Sequence, residues 1–502
     1  MAAQPDSVGG AQDGAPAFGL ALAALSLAVL LASLGTSIAN VGLPALAQAF
    51  GASFQSVQWV VLAYLLAVTA LVVGAGRLGD VVGRRRLMLA GIALFAAASA
   101  SSGAAPTLGW LVAARAAQGA GAAVMMALAM ALVGGTVPKE RTGRAMGLLG
   151  TMSALGTALG PSLGGALIAG FGWRAIFLAP VPLGILAFAL AWRTLPADRP
   201  STTKSSGSDA KGTLPADRPS TTERPGFDAA GTGLLALALA AYALAMTVGR
   251  GDFGWPNGAL LAAAAVAGAL FLRVERRAAS PLIRPAMLRD PALREALVTS
   301  ALVATVMMAT LVVGPFYLAR GLGLDAAAIG LAMSAGPVVA ALAGVPAGRL
   351  VDRFGPERMT LAGLGAMAAG AGLLALMPAR FGVAGYLAAI AILTAGYAAV
   401  QAANNTAAMR DVPADRRGVV SGLLNLARNL GLVTGASAMG AVFARASGAG
   451  DAARATPEAA SAGMTVTFAA ATLVILAAVA AAAAGRASAA RRGAADPADA
   501  AP

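Results

Sequence analysis

The chain has 502 residues, of which 58% are hydrophobic and only 12% are charged, about half the charged fraction of a soluble globular protein. The formal net charge of +14 does not indicate nucleic-acid binding, because the basic residues lie in short segments between apolar runs. The absence of Cys and His excludes thiol chemistry and imidazole-based sites, and the absence of a Walker-type loop argues against ATP hydrolysis. We therefore predict no catalytic site, no metal site and no cofactor.

Fourteen apolar runs reach roughly the 20 residues that a membrane-spanning helix needs. They lie at 17–40, 57–76, 87–105, 108–134, 143–168, 173–192, 229–248, 257–273, 296–318, 326–347, 359–377, 382–407, 418–444 and 464–485. With both termini in the cytoplasm, the cytoplasmic loops hold 28 of the 36 Lys and Arg residues, which is the bias of an inner-membrane protein. The sequence predicts an all-α membrane protein with fourteen helices.

This count divides the chain into two six-helix bundles with two additional helices between them. The predicted parts are a cytoplasmic tail, the N-terminal bundle, a linker, the additional helices, the C-terminal bundle and a second tail, at 1–16, 17–192, 193–228, 229–273, 274–485 and 486–502. The linker and the second tail are rich in polar, Pro or charged residues and are predicted to be disordered. The linker contains the decapeptide TLPADRPSTT twice, at 194–203 and 213–222, which is most simply a tandem duplication.

One basic segment occurs once in each bundle. Residues 76–86 read GRLGDVVGRRR, and residues 348–358 read GRLVDRFGPER, so six of eleven positions match. We name these segments the N-terminal and the C-terminal signature turn. Two glycines in each are expected to let the backbone reverse, and the aspartate can lie against a helix N-terminus. The residues concerned are Gly76, Asp80, Gly83 and Arg84, and Gly348, Asp352, Arg353 and Gly355.

The fifth predicted helix carries small residues at helical spacing around a proline. Glycines 156, 160 and 164 share one helix face, which lets another helix approach closely, and Pro161 predicts a kink. Ordinary helix packing explains such a face equally well. The complete pattern comprises Gly156, Gly160, Pro161, Gly164 and Gly165.

The paired turns resemble the signature loop of the major facilitator superfamily, whose halves are related as parallel repeats. The glycine pattern resembles the antiporter motif of its exporters, in which the bend is thought to control closure between the halves. Five further segments resemble the 14-helix drug:proton antiporter branch: 34–44, 59–64, 111–121, 173–182 and 422–431. The resemblance covers about residues 17–485. It implies a monomeric transporter in the inner membrane that moves small molecules and uses protons as the coupling ion.

Two residues depart from that branch. Gly35 stands where the branch usually has an acid, and Pro180 stands where it usually has Asn. All 22 Asp and Glu residues lie in loops, in tails or at helix ends. The sequence therefore offers neither a buried proton carrier nor an anionic anchor for cationic drugs.

The polar residues left inside the helices are neutral or cationic. Arg115 and Arg428 lie within helices, where a charge is a functional candidate by default, although Arg115 is equally well explained by snorkelling or by a structural link to helix carbonyls. Interhelical hydrogen bonding is an alternative for each amide. The candidates for the cavity or for coupling are Asn40, Arg115, Gln118, Asn404, Asn405, Asn425, Arg428 and Asn429.

These features predict a secondary exporter of hydrophobic or amphipathic compounds that works by alternating access. A dedicated exporter of one metabolite is the alternative of the same kind. A non-transporting membrane receptor is the alternative of another kind, and no segment large enough for a soluble sensory domain supports it.

Overall fold

The computed structural model describes residues 14–136, 142–198, 229–247, 254–277, 290–410, 412, 417–448 and 455–495. The predicted N-terminal tail, the linker beyond residue 198 and the end of the C-terminal tail lie almost entirely outside these residues. Within them, the regular structure is helical throughout.

The first half of the chain forms eight helices. Two of them, α2 and α7, are short connections at the ends of long helices. The bounds are α1 (Gly14–Val41), α2 (Leu43–Phe50), α3 (Phe54–Val82), α4 (Arg84–Gly103), α5 (Leu108–Thr136), α6 (Thr142–Phe171), α7 (Ala175–Leu178) and α8 (Pro180–Thr194). Helix α1 packs against α5, α6 and α8, and α5 packs against α3 and α4, so these helices form one bundle.

The second half contains an additional hairpin and a second bundle. The hairpin is α9 (Ala229–Thr247) and α10 (Trp255–Glu275), and α9 packs against both α3 and α14. The bundle comprises α11 (Pro291–Phe316), α12 (Ala326–Phe354), α13 (Pro356–Met409), α14 (Arg417–Thr434), α15 (Gly440–Ala446) and α16 (Pro457–Ala495). Single π-helical turns follow α11 and α14, at Tyr317–Gly321 and Gly435–Met439.

Twelve helices in the described part of the chain are long and apolar enough to cross a membrane. The predicted seventh helix is present but shorter, at Ala230–Ala245. The predicted thirteenth is the continuous run of α14, its π-helical turn and α15. Helix α13 is two helices that meet at Gly382 (φ 55°, ψ −133°). The all-α membrane fold is confirmed, and fourteen remains the predicted number of spans.

Helix α16 continues past the predicted boundary at 485 to Ala495. The physical reason is its alanine content, because Ala has the highest helix propensity and needs no tertiary partner to favour the helical state.

The two bundles are in contact at the face where α3 and α12 begin. The signature turns lie at the opposite face, where α3 and α12 end. We call this the turn face, and we call the face where α3 and α12 begin the far face. Ser53 and Asp325 begin α3 and α12 as capping residues: the Ser53 hydroxyl accepts from the Ser56 amide at 3.3 Å, and the Asp325 carboxylate accepts from the Ala328 amide at 2.8 Å.

Candidate functional site

Each signature turn reverses at a single residue. Helix α3 ends at Val82 and α4 begins at Arg84, with Gly83 between them at φ 108°. In the second turn Gly355 has φ 82°. Both values lie in the region that only glycine enters readily. The expectation that two glycines reverse each turn is therefore wrong.

The first glycine and the aspartate of each signature turn belong to helices. Gly76 and Asp80 are part of α3, and Gly348 and Asp352 are part of α12. Asp352 is exposed in the last turn of α12. The side chain of Asp80 lies outside the described residues.

The N-terminus of α4 is capped by a carboxylate from the linker. The amides of Arg85 and Arg86 donate to the two carboxylate oxygens of Asp198, at 2.9 and 3.0 Å. Two contacts of the arginine side chains reinforce the turn: Arg84 donates to the carbonyl of Ala131 on α5 at 3.3 Å, and Arg85 donates to the carbonyl of Trp192 on α8 at 2.5 Å. An acid facing a helix N-terminus was expected, but the acid seen there is Asp198.

The C-terminal signature turn has different surroundings. Among the described residues, no atom of a neighbouring element lies within 4 Å of the Cβ position of Gly355. The guanidinium of Arg353 lies 5.1 Å from the ring centroid of Phe354, and both residues are exposed. Glu357, in the first turn of α13, forms an exposed ion pair with Arg410 at 3.7 Å.

The antiporter-type glycines face two different helices. Cβ positions at 156, 160 and 164 would meet atoms of α1, and the hydroxyl of Ser37 donates to the carbonyl of Gly156 at 3.2 Å. Gly165 points the other way, since its Cβ position lies 2.5 Å from the carbonyl oxygen of Ala326 and 2.8 Å from Cα of Gly330, both on α12. Three glycines therefore allow α1 to pack closely against α6 within the bundle, and the fourth allows close packing of α12 from the other bundle.

Arg115 is wholly buried and joins three helices. Its guanidinium donates to the carbonyl of Gly35 on α1 at 2.9 Å, to the carbonyl of Val60 on α3 at 2.9 Å and to the side-chain oxygen of Gln118 at 2.6 Å. The ring of Tyr64 lies 4.2 Å from the guanidinium carbon. The sequence left snorkelling and a structural link to helix carbonyls open for Arg115. These contacts are those of the structural link.

The position of Gly35 explains how this cation is held without a carboxylate. A Cβ at Gly35 would lie 3.0 Å from the Tyr64 hydroxyl and 3.3 Å from the ring of Phe95. The Tyr64 hydroxyl itself donates to the carbonyl of Ala32 at 2.6 Å. Tyr64 and Phe95 thus occupy the space into which an acidic side chain at residue 35 would extend. The Tyr64 ring and the helix carbonyls stabilise the charge of Arg115 instead.

The amide candidates do not converge on one site. The side-chain nitrogen of Asn40 donates to two carbonyls of its own helix, that of Thr36 at 3.1 Å and that of Ser37 at 3.3 Å. Asn404 donates at 3.4 Å to α11, to the Ala296 carbonyl and to the Ser300 hydroxyl. Interhelical hydrogen bonding thus accounts for Asn404, whereas the buried Oδ1 of Asn40 has no hydrogen-bond partner in the described residues.

The remaining candidates are two exposed amides and a pair on α14. Asn405 and Asn425 are exposed. Asn429 is buried, and Arg428 is half-buried, with no hydrogen-bond partner recorded for its Nε. Arg428 is therefore the candidate whose charge the described surroundings satisfy least.

The far face holds an aromatic contact between the bundles that the sequence did not indicate. The ring of Phe54 on α3 lies 4.5 Å from that of Phe316 on α11 and 5.4 Å from that of Phe443 on α15, measured between centroids. Gln58, one turn along α3, is fully buried against Gly440 of α15, where a Cβ would overlap its amide. Neither amide atom of Gln58 has a hydrogen-bond partner in the described residues. The hydropathy pattern contains no signal for this contact, because all of these positions look like ordinary span residues.

Comparison with known proteins agrees with this architecture. The chain is similar to the multidrug resistance protein Stp of Mycobacterium tuberculosis, with 31% identity over 430 residues that cover 85% of this chain and 76% of Stp. It is 27% identical to the riboflavin transporter RibZ of Clostridioides difficile over 426 residues, covering 85% of this chain and 88% of RibZ. The fold is similar to the crystal structure of an inward-facing, unoccupied bacterial homologue of the human lysosomal transporter Spinster, with a TM-score of 0.65, 18% identity and coverage of 94% and 97% of the two chains.

The family model described as the Major Facilitator Superfamily matches residues 25–436. This match extends over most of the chain and includes both signature turns, the N-terminal bundle from residue 25 onward and the C-terminal bundle through α14. The chain therefore belongs to the major facilitator superfamily.

Proposed function

We propose that this protein is a secondary active exporter of hydrophobic or amphipathic small molecules. The observation that carries the proposal is the contact between Gly165 and Gly330, where the last glycine of the antiporter-type motif lies against the backbone of the other bundle. Alternating access requires the halves to separate at one face and to meet at the other. A contact between glycine backbones can be broken and remade without separating charges.

The interior charge supports neutral or anionic substrates. Arg115 is a buried cation whose recorded partners are carbonyls, an amide and aromatic rings. Arg428 is a second, half-buried cation, on α14 of the C-terminal bundle. A lipophilic cation that comes close to Arg428 is repelled by roughly 4 kcal/mol at 4 Å for an effective dielectric constant of 20. Arg115 adds only repulsion over a longer distance, because it is enclosed within the N-terminal bundle. We expect lipophilic cations to be poorer substrates than neutral or anionic compounds of similar size.

The proposed driving force is the proton gradient. No carboxylate was predicted inside a span, so the proton carrier is expected at a membrane edge. Asp80 and Asp352, in the last turns of α3 and α12, are the leading candidates. A protonatable substrate is the alternative carrier. In either case Asp80→Asn should leave the protein inserted and lower transport by shifting the balance between inward- and outward-facing states.

The experiment is efflux from membrane vesicles. A lipophilic anion and a lipophilic cation of similar size are compared at two pH gradients, with vesicles that lack the protein as the control. Faster export of the anion that grows with the pH gradient is the expected result. Strong export of the cation with no transport of the anion would contradict the substrate class. A lack of any effect of the gradient would contradict proton coupling.

A dedicated exporter of one metabolite is the second candidate, and the similarity to the riboflavin transporter RibZ favours it. Growth of an exporter-deficient host on a panel of toxic compounds distinguishes the two. A multidrug exporter should protect against several unrelated compounds. A dedicated exporter should protect against one chemical class at most.

We also propose a monomer in the plasma membrane, with fourteen spans and both termini in the cytoplasm. The chain contains no cysteine, so single cysteines can be introduced without background labelling. Thiol reagents that cannot cross membranes should label Gly254→Cys and Gly448→Cys from outside the cell. They should not label Ser206→Cys or Ala498→Cys. Labelling of Ser206→Cys from outside would overturn the orientation.

A further inference from the structure

The first residues of the linker are part of the N-terminal bundle. We propose that Asp198 is a positioning residue for transport, which docks the linker on the N-terminal signature turn and fixes α4 to the end of α8. This inference rests on the proposed function for its transport readout. Its structural part is tested separately by amide exchange.

Helix α4 has no capping side chain of its own. Gly83 is its N-cap residue and makes no side-chain hydrogen bond. The first amides of a helix lack an intrahelical acceptor. Asp198 supplies the acceptors for the amides of Arg85 and Arg86, which are the second and third residues of α4. These are the positions that an N-cap side chain normally serves.

The turn is shaped to receive this carboxylate. A Cβ at Gly83 would lie 2.6 Å from Cγ and 3.1 Å from Cβ of Asp198. The positive φ of Gly83 and the space above its Cα therefore both require glycine. The close approach above Cα is the feature specific to the bound carboxylate, because Gly355 has a positive φ without such a neighbour among the described residues.

The docking is reciprocal between the ends of two helices. Asp198 places a negative charge at the N-terminus of α4, and Arg85 places a positive charge on the carbonyl of Trp192, near the C-terminus of α8. Each charge has the sign that the facing helix dipole favours. Breaking either interaction leaves one helix end less well compensated and loosens α4 from α8.

The link that Asp198 and Arg85 form between α4 and α8 has a consequence for alternating access. If the N-terminal bundle moves as one body, α4 and α8 must keep their relative position at the turn face while the bundles separate there. Gly83 joins the last turn of α3 to Arg84, and the Arg84 guanidinium donates to the Ala131 carbonyl on α5. Loss of Asp198 should therefore slow the conformational step and lower the maximal rate. It should leave KM unchanged, because Asp198 lies at the turn face, outside the spans that enclose the substrate.

The chain contains its own matched control. The decapeptide that includes Asp198 recurs at 213–222, where the equivalent residue is Asp217. Asp217→Asn removes the same charge from the same local sequence. Any effect of general linker charge will appear in both variants, whereas the docking predicts an effect of Asp198 alone.

Two measurements on the full-length protein test the proposal. Hydrogen exchange should show slow exchange of the Arg85 and Arg86 amides in the wild type. In Asp198→Asn at least one of the two should exchange roughly five- to tenfold faster, because the side-chain amide keeps one oxygen acceptor and loses both the other acceptor and the charge. Asp217→Asn should exchange like the wild type. Efflux in vesicles, normalised to the amount of inserted protein, should show a maximal rate lowered about fivefold in Asp198→Asn with KM unchanged, and Asp198→Glu should recover most of it.

Each outcome decides one part of the proposal. Fast exchange of both amides in the wild type overturns the docking, whether or not any variant folds. A normal maximal rate in Asp198→Asn, or an equal loss in Asp217→Asn, overturns the role in transport. If the wild type moves no compound of the panel but its amides are protected, the proposed function fails and the docking stands.

Discussion

At the N-terminal signature turn the space over Gly83 is filled by the carboxylate of Asp198, whereas at the C-terminal signature turn no atom of the described part of the chain lies within 4 Å of the Cβ position of Gly355. The two turns have the same positive-φ glycine and the same repeated motif. Helix α4 is capped from another element, while α13 carries its own acid, Glu357, in its first turn. A repeated motif therefore fixes the backbone of a turn but not its neighbours.

The arginines inside the two halves differ as the turns do, with more contacts in the N-terminal half. Arg115 in the N-terminal bundle is enclosed and makes three hydrogen bonds, whereas Arg428 in the C-terminal bundle is half-buried, with an Nε for which no partner is recorded. The N-terminal half is thus internally braced at both features. This contrast between the halves can be tested with matched pairs of variants.

The largest effect is expected at the two turn glycines. Gly83→Ala forces a side chain into positive φ and into the Asp198 carboxylate, so we expect a loss of about 3 kcal/mol in the free energy of unfolding. Gly355→Ala meets only the backbone strain, about 1–2 kcal/mol. Denaturant unfolding of the purified protein in detergent measures both. Equal losses in the two variants would mean that the contact between Asp198 and the N-terminal signature turn contributes nothing to the free energy of unfolding.

The next effect is expected at the two arginines. Arg115→Met removes three hydrogen bonds and a cation–π contact, offset in part by removal of a buried charge, for a net loss of about 2 kcal/mol. Arg428→Met should change stability by less than about 0.5 kcal/mol. Thermal unfolding in detergent compares them. Arg115→Lys is the control for charge, because an ammonium cannot reproduce the planar fork of donors. A stable Arg115→Met protein would contradict the structural role of the cluster.

A third comparison concerns the contact between the halves. Gly165→Ala places a methyl group against the backbone of α12, so we expect the far face to open more often, by about tenfold for a cost near 1.4 kcal/mol. Gly150→Ala, on the same helix, meets no atom within 4 Å among the described residues and is the control. The rate of thiol labelling of Gln58→Cys, combined with each variant, reports the opening. Equal labelling rates in the two combinations would show that Gly165 does not hold the halves together.

The smallest effect is expected at the acid near the C-terminal turn. Glu357 and Arg410 are exposed by 67% and 51%, and such pairs contribute about 0–1 kcal/mol. Glu357→Gln should therefore change the unfolding free energy by less than Asp198→Asn, for which about 1 kcal/mol is expected from the loss of one hydrogen-bond acceptor and of the charge at the helix N-terminus. The two variants are compared in the same denaturant titration. A larger loss for Glu357→Gln would reverse the contrast between the turns.

Local sequence patterns were sufficient for much of the fold. Apolar run length predicted the spanning helices, including both helices of the run Pro356–Met409, because burying backbone in lipid requires a helix of fixed length. The repeat of Gly83 at Gly355 predicted both turns, because few residues other than glycine tolerate positive φ. The spacing of Gly156, Gly160 and Gly164 predicted a close helix contact for a similarly local reason.

The site depended on contacts between residues far apart in the chain. Asp198 lies 113 residues from the Arg85 amide that it accepts from, in a segment that composition alone marks as a disordered linker. The role of Arg115 was open until α1 and α3 were seen to place their carbonyls around it. Hydropathy assigns a residue to a span, but the partner of a buried polar group depends on which helices pack together. That packing was decided by the tertiary structure alone.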